Sequence, residues 1–261
     1  MGTEDLHTAV RTGDASLVES LLNKGSNIDT VYYGWTPLQH AIDIGNQEVA
    51  VLLIDKGCDH VFHDKNHRAP FEEAVMKKQP KVVESLLAKG VTGNIIMSGG
   101  HTPLTYAVEK ECPGLLSVLI KGPGIEVDKP NTWGHTAAYL AAKNGEVEML
   151  KSLLSAGANA NYICKEEGAY TPLIAAAANE HVQVVSALTK HGCDLNAQDA
   201  DGWTALWHAY SSASEDICRV LLRAGADKSI PNAEGQTVVQ DATENEDESM
   251  IELFQKYNSL V

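Results

Sequence analysis

A five-residue pattern, read most clearly as Gly-Trp-Thr-Pro-Leu at residues 34–38, returns along the whole chain at a nearly fixed spacing. The threonine of each copy, or the residue that replaces it, stands at positions 36, 69, 102, 136, 171, 204 and 237. Successive copies are therefore 33 to 35 residues apart. A period in this range is typical of stacked-repeat proteins, in which each unit buries its apolar face against its neighbours.

Each copy carries the signals of two helices. Thr36 can cap a helix by accepting a bond from a free backbone N–H, and Pro37 suits the first helical position, where no donor is needed. About twenty residues later comes a leucine-rich stretch that ends in glycine, as in Leu-Leu-Arg-Ala-Gly at residues 221–225. A glycine there can take the left-handed conformation that ends a helix. The pattern predicts helix, tight turn, helix and extended loop, with first helices beginning near Thr36, Thr102, Thr171 and Thr204.

These two motifs resemble those of the ankyrin repeat, which opens with Thr-Pro-Leu-His-x-Ala and closes with Leu-Leu-x-x-Gly-Ala-Asp. The resemblance covers nearly the whole chain in seven phased copies. It implies an all-α fold, an ankyrin-repeat solenoid of helix-turn-helix units joined by β-hairpin loops. The histidine position of the family motif is occupied here by other residues, which are Gln39, Thr105, Tyr139, Ile174 and Trp207. The polar bridge that this histidine makes between repeats in the family is therefore in question.

The unbroken period favours one elongated domain over residues 1–261 rather than the two domains that this length would allow. A degenerate N-terminal cap is predicted over residues 1–31 and a C-terminal cap over residues 233–261. The six internal repeats are predicted at 32–64, 65–97, 98–131, 132–166, 167–199 and 200–232. The acidic run at 244–248 fits a solvated cap segment, with an interaction tail as the alternative.

Charge and composition restrict the classes of function. The formal net charge of −15 argues against nucleic acid as a partner, because phosphates would repel this surface. No apolar stretch reaches the eighteen residues that a membrane span needs, and the first residues lack a secretory pattern. Five scattered cysteines indicate a reduced compartment, cytoplasmic or nuclear, and Cys58 and Cys193 stand where sister repeats have alanine. A fragment of a larger protein would give the same picture.

No motif for catalysis or for a cofactor appears, so we expect no enzyme, no cofactor and no catalytic or metal site. The closest approach to a metal site is His60, His63 and His67, three imidazoles within eight residues. Solvent-facing loop histidines explain them better, since zinc sites need four converging ligands.

The aromatic residues carry the functional prediction. The resemblance implies that hairpin tips, the residue before the threonine and the far end of the first helix project from the concave inner side. Aromatic residues and arginine are enriched at binding hot spots, although packing between neighbouring loops is an equally good explanation for each ring alone. The predicted partner-binding residues are Tyr33, Trp35, Arg68, His101, Trp133, His135, Tyr170, Trp203 and Trp207.

Five of these residues, from Trp133 to Trp207, come from three successive repeats, and acidic residues lie at the same tips. Aromatic rings edged by carboxylates suit an Arg- or Lys-bearing segment. The prediction is a monomeric, non-catalytic protein-interaction module (adaptor, inhibitor or targeting scaffold) that binds a basic protein or peptide on its concave face. The alternative is an ankyrin recognition segment of a larger channel, enzyme or ubiquitin-ligase subunit.

Two local features complete the predictions. The period is broken at 122–124 and at 165–168, and insertions in solenoids fall in loops, either by neutral drift or on the binding side. Asn196 lies in a hairpin context similar to that hydroxylated in ankyrin proteins, and it is a candidate for that modification. Its plain role is to hydrogen-bond the turn backbone.

Overall fold

The computed structural model describes residues 3–63 and 68–257, and within them the chain forms sixteen α-helices and no β-strand. The first eight are α1 (Thr3–Thr12), α2 (Ala15–Asn23), α3 (Pro37–Asp43), α4 (Gln47–Asp55), α5 (Pro70–Met76), α6 (Pro80–Ala88), α7 (Pro103–Glu109) and α8 (Pro113–Ile120). The other eight are α9 (Ala137–Lys143), α10 (Val147–Ser155), α11 (Pro172–Ala178), α12 (Val182–His191), α13 (Ala205–Ser211), α14 (Glu215–Ala224), α15 (Val238–Glu244) and α16 (Glu248–Lys256). The prediction of an all-helical repeat fold is confirmed.

The threonines of the repeated motif start the first helix of their repeats. The Thr36 hydroxyl accepts the backbone N–H of Gln39 at 3.3 Å, and the Gln39 side chain returns a bond to the Thr36 backbone. A threonine hydroxyl caps α7, α9, α11, α13 and α15 in the same way, and the return bond is also present at α7 and α15. Ala69, which replaces the threonine before α5, makes no such bond. The predicted helix starts are confirmed, and each cap contributes about 1 kcal/mol to helix stability.

The second helices end where the sequence predicts. Gly157, Gly192 and Gly225 have φ angles of 89°, 86° and 95°, which residues with a side chain rarely adopt. The first leucine of the closing motif is completely buried in six successive copies; these are Leu53, Leu86, Leu119, Leu153, Leu188 and Leu221. Each of these leucines lies in the core of its own repeat, and truncating one buried leucine to alanine costs about 2–5 kcal/mol.

The chain divides into two compact units, residues 1–126 and residues 127–261. In the first unit, α1, α3, α5 and α7 pack in order as one layer, and α2, α4, α6 and α8 form a second layer behind them. The second unit repeats this arrangement with α9, α11, α13 and α15 in front of α10, α12, α14 and α16. Each predicted repeat contains one helix pair, whereas the grouping of all eight repeats into one domain remains a prediction.

The loops between repeats are joined by a ladder of side-chain bonds. The Asn161 amide oxygen accepts the backbone N–H of Asp194 at 2.8 Å, and Asn196 accepts that of Asp227 at 2.9 Å, one repeat further on. Isolated bridges replace strands in the hairpin loops, between Tyr32 and Trp35 and between Cys164 and Tyr170. These bonds hold each loop against the loop of the next repeat.

Candidate functional site

A cluster of aromatic rings lies at the hairpin tips and first helices of the second unit. The Trp203 ring stacks on Trp207 with centroids 5.3 Å apart, and the His208 ring lies edge-on to Trp203 at 5.2 Å. The Tyr170 ring, from the preceding repeat, lies edge-on to His208 with centroids 5.1 Å apart. The predicted contact residues Tyr170, Trp203 and Trp207 are thus brought together, with His208 in the centre.

One buried carboxylate positions this cluster. Asp199 is 9% exposed, and its Oδ1 accepts the backbone N–H groups of Asp201 at 3.0 Å and of Trp203 at 2.8 Å. Its Oδ2 bonds the Nε2 of His208 at 2.7 Å. A single side chain therefore fixes both the bend of the tip that presents Trp203 and the orientation of the imidazole beneath it.

Trp207 differs from the prediction of an open contact residue. Only 4% of it is exposed, because it lies in the first turn of α13 beneath Trp203 and against the Tyr210 ring at 6.0 Å. Its indole Nε1 has no hydrogen-bond partner among the described residues. Trp207 is the floor of the cluster, and Trp203 covers it.

A second cluster centres on Glu167, in the 3₁₀ turn Lys165–Glu167 that breaks the period. Three side chains of the preceding repeat bond its carboxylate. Tyr139 OH donates to Oε2 at 2.6 Å, Lys143 Nζ donates to the two oxygens at 2.8 and 2.7 Å, and His135 Nε2 lies 2.9 Å from Oε1. Residue His135 is thus engaged by its own chain.

Burial opposes the charge of Glu167, and its donors overcome that opposition. Desolvation acts to raise the pKa of Glu167, but the hydrogen bonds from Lys143 and Tyr139 and the charges of Lys143 and His135 lower it overall. Burial, followed by the bond to Glu167, raises the pKa of Tyr139, so its hydroxyl remains a donor. The cluster is an ionised carboxylate with a neutral phenol and a cation bound to it.

The tips of three successive repeats in this unit touch one another. Ala200 N donates to the Gly168 carbonyl at 2.8 Å, and Tyr162 OH donates to the Gly134 carbonyl at 2.8 Å. Trp133 lies beside Gly134 at the tip before α9 and is 46% exposed. We use the name aromatic face for the tip residues Trp133, His135, Tyr170 and Trp203 together with His208 of α13.

The first unit holds the other four predicted contact residues. Tyr33 is 85% exposed at the tip of its hairpin, while Trp35 lies against the His40 ring at 5.2 Å. Arg68 bonds Glu73 at 2.8 Å, and the ring of His101 contacts Tyr106 at 6.0 Å; Arg68 and His101 are half-buried. Of these residues, Tyr33 alone presents most of its side chain to solvent.

A buried histidine, His7, and a half-buried one, His40, join the N-terminal helices to the first hairpin. The Nδ1 atoms of His7 and His40 are 2.8 Å apart, and His7 Nε2 bonds the Thr30 carbonyl at 2.9 Å. Because a carbonyl only accepts, His7 carries its proton on Nε2 and its Nδ1 accepts from His40. Burial lowers the pKa of both rings, and the charges of His7 and Arg11 lower that of His40 further.

The remaining sequence candidates differ in outcome. Cys58 and Cys193 are buried, and burial raises their pKa to about 12 and about 11, so they are protonated packing residues as predicted. Of the three loop histidines, His67 lies outside the described residues. Within 3–63 and 68–257 no group of three His, Cys, Asp or Glu side chains is placed to hold a metal ion.

The predicted contact residues did not include Tyr139, Lys143, Glu167, Asp199 or His208, which hold these clusters together. The available signal for Glu167 was the period break itself, since an insertion beside a hairpin tip puts its side chains against the preceding repeat. The question about the family's histidine slot also resolves residue by residue. Gln39 donates to the Phe62 carbonyl at 3.1 Å and Tyr139 to Glu167, so both still bridge repeats. Trp207 makes no such bond among the described residues.

The structure consists of helix pairs whose first helices are capped by threonine and whose loops are joined by side-chain hydrogen bonds. These features define a helical-repeat protein with exposed hairpin tips, which are suited to recognition. The family model for ankyrin repeats, in three-copy units, matches residues 6–97, 73–164, 104–199, 140–232 and 192–259. The chain belongs to the ankyrin-repeat family.

Relatives and solved structures agree with this family. The chain is 29% identical over 212 residues to the B-cell lymphoma 3 protein homolog of Mus musculus, covering 78% of this chain and 47% of that protein. It is 35% identical over 123 residues to the ankyrin repeat, SAM and basic leucine zipper domain-containing protein 1 of Dasypus novemcinctus, covering 45% and 26%. The crystal structure of the ankyrin repeat domain of Bcl-3, a member of the IkappaB protein family, matches with a TM-score of 0.67 at 26% identity, covering 90% of this chain and 92% of that one.

The ankyrin repeat domain of human ASB11 shares the fold, with a TM-score of 0.62 at 24% identity over 85% of this chain and 98% of that one. The chain spans about half of the length of the mouse B-cell lymphoma 3 protein homolog and about a quarter of that of the Dasypus novemcinctus protein. No helix among the described residues is long and apolar enough to cross a membrane. Fold and relatives together indicate a protein–protein interaction domain of a kind that is typically non-catalytic.

Proposed function

We propose that this protein is a non-catalytic interaction module whose aromatic face binds a basic segment of a partner protein. The observation that carries the proposal is the arrangement of Tyr170, Trp203 and His208 over the buried Asp199. Tyr170 and Trp203 are partly exposed at fixed tips, so a partner meets rings that are already ordered. Preformed aromatic anchors reduce the entropy lost on binding.

The charge around these rings supports a basic partner. Residues 127–261 contain 19 Asp and Glu against 9 Lys and Arg, so this part of the chain holds −10 of the total −15. Burial and the negative charges of Asp199, Asp201 and Glu167 raise the pKa of Tyr170, which places that ring in a negative field. Lys143, at the end of α9, is neutralised by Glu167.

A lysine or arginine of the partner fits this setting by a simple geometry. The cation lies over the outer face of Trp203, where the ring quadrupole attracts it, and the exposed Asp201 carboxylate two residues away pairs with it. Such a contact contributes about 0.5–2 kcal/mol, more when water is excluded. The exposed Trp133 offers further contact area in the same unit, and Tyr33 is a separate exposed candidate in the first unit.

The other predicted properties belong to the same proposal. The alternative role, the recognition segment of a larger channel, enzyme or ubiquitin-ligase subunit, is favoured by the short share of each relative that the chain covers. A cytoplasmic or nuclear location is supported by five cysteines that form no disulfide. We propose a monomer without catalytic residues, cofactor or metal.

An array of peptides with graded charge tests the basic-partner proposal. The purified 261-residue chain is applied to peptides that carry Lys or Arg, to the same peptides with Glu, and to neutral ones, at low and high salt. We expect capture of basic sequences, weakened as salt rises. Trp203→Ala should weaken binding of the best peptide by about 2 kcal/mol, roughly thirtyfold, if Trp203 is a central anchor.

Gln183→Ala is the matched control, because Gln183 is an exposed residue of α12, in the second layer of helices. It should bind as the wild type does. Equal capture of basic and acidic peptides, or a Trp203→Ala variant that binds with unchanged affinity, would refute the proposed face.

A further inference from the structure

The aromatic face also contains a set of donors that the basic-partner proposal does not use. His135 precedes α9, Tyr139 lies in its first turn and Lys143 is its last residue. All three project toward one point, where they meet the Glu167 carboxylate at 2.6–2.9 Å. Four close contacts to two oxygens saturate a carboxylate, as in sites built to bind anions.

The occupant comes from a segment that the other repeats lack. Glu167 belongs to the insertion that lengthens this step of the period to 35 residues, and no residue of its turn, Lys165–Glu167, is buried. The turn closes through Gly168 at φ 68° and Ala169 at φ 63°. A left-handed conformation costs an alanine about 1–2 kcal/mol, so the turn is held in a strained form.

The side chain of Glu167 holds the turn, together with backbone bonds from Cys164 to Tyr170 and from Ala200 to Gly168. Its side chain is 30% exposed, Lys143 is 36% exposed and His135 is 15% exposed, so solvent reaches the contact. The neighbouring Glu166 lies instead against Gly134, where a β-carbon would overlap its carboxylate. An accessible carboxylate on a strained, unburied turn can be exchanged for another carboxylate without unpacking the core.

We propose that His135, Tyr139 and Lys143 form a carboxylate-binding site that Glu167 occupies in cis until an Asp or Glu side chain of the partner replaces it. This inference rests on the proposed function, because it adds an acidic residue to the basic partner segment. The partner then carries mixed charge: a cation near Trp203 and a carboxylate near α9, two repeats before it.

Removing the internal occupant tests the site without any protein partner. Full-length Glu167→Ala is titrated with sodium glutarate, and separately with sodium chloride at equal ionic strength, while NMR follows the His135 ring. We expect a saturable shift with glutarate alone. The wild type should need more than about tenfold higher glutarate, because a tethered carboxylate competes at an effective concentration of millimolar or above.

Two further variants assign the response to these donors. Adding Lys143→Met to Glu167→Ala should weaken glutarate binding about tenfold or more, and Glu166→Ala alone should behave as the wild type. If Glu167→Ala does not fold by circular dichroism, Glu167→Gln, which keeps the size and removes the charge, takes its place in the titration. A His135 signal that responds to glutarate no more than to chloride overturns the site and leaves Glu167 a staple between repeats. That result would leave the basic-partner proposal, which the peptide array tests with Trp203→Ala, unaffected.

Discussion

His208 and Asp199 form a buried hydrogen-bonded pair, 2.7 Å from Nε2 to Oδ2, with their side chains 11% and 3% exposed. Asp199 also accepts two backbone N–H groups of its own tip. The pair therefore links the hairpin that presents Trp203 to helix α13 below it. Stability and the shape of the proposed face depend on the same carboxylate.

Replacing Asp199 should lower the stability of the protein and disturb the shape of the proposed face. Asp199→Ala leaves the N–H groups of Asp201 and Trp203 and the imidazole without their acceptor, and each lost buried bond of this kind costs about 1–3 kcal/mol. We expect a loss of several kcal/mol in the free energy of unfolding, measured by urea denaturation. Asp201→Ala, at an exposed position of the same tip, should change it by less than about 0.5 kcal/mol. Equal losses in the two variants would contradict this role of Asp199.

Trp207 allows a prediction that separates packing from hydrogen bonding. Its ring is buried between Trp203 and Tyr210, and its Nε1 lacks a partner among the described residues. Trp207→Phe keeps most of the packing and removes an unsatisfied donor whose burial costs about 1–3 kcal/mol. We expect the free energy of unfolding of Trp207→Phe, measured by urea denaturation, to lie within about 1 kcal/mol of the wild-type value. That of Trp207→Ala should be about 3–5 kcal/mol lower. Similar, large losses in both would show that the indole N–H is satisfied.

The His7–His40 pair predicts acid sensitivity of the N-terminal repeat. The folded pKa of each ring lies below the unfolded value of 6.5, so the unfolded chain binds more protons as the pH falls. The stability from this pair is complete above about pH 6.5 and is lost as the pH falls below it, by about 1.4 kcal/mol for each pKa unit of depression. Arg11 adds to the effect on His40 and Asp43 opposes it.

Denaturation between pH 7.5 and 5.5 checks this slope, with NMR titration of both rings. His7→Gln should flatten it, whereas His191→Gln, at an exposed position at the end of α12, should not. Titration of His7 in the folded protein at or above 6.5 would contradict the assignment.

How much the sequence determines depends on whether a residue acts within its own repeat. Thr36 and Thr204 cap the helices that follow them, and Leu53 and Leu221 occupy the same buried position in their repeats. For such residues the local motif was enough to predict the role. Partners across repeats were not predictable in this way. The bond from His208 to Asp199 depends on the bend of a tip, and Glu167 reaches Tyr139 and Lys143 because an insertion shifts the following hairpin.

Asn196 carries the last prediction, hydroxylation at its β-carbon by an asparaginyl hydroxylase. Its side chain is exposed, and its amide oxygen accepts the Asp227 N–H at 2.9 Å, which confirms its plain role in holding the loops together. The enzyme must reach this asparagine from solvent, and one loop bond, contributing about 1 kcal/mol, opposes its release. Incubation with the hydroxylase should add the mass of one oxygen to the peptide that contains Asn196. Asn161, whose oxygen bonds Asp194 in the same way but which lies in a poorer sequence context, should react more slowly. No mass gain at Asn196, under conditions in which a known ankyrin substrate is fully modified, would end the proposal.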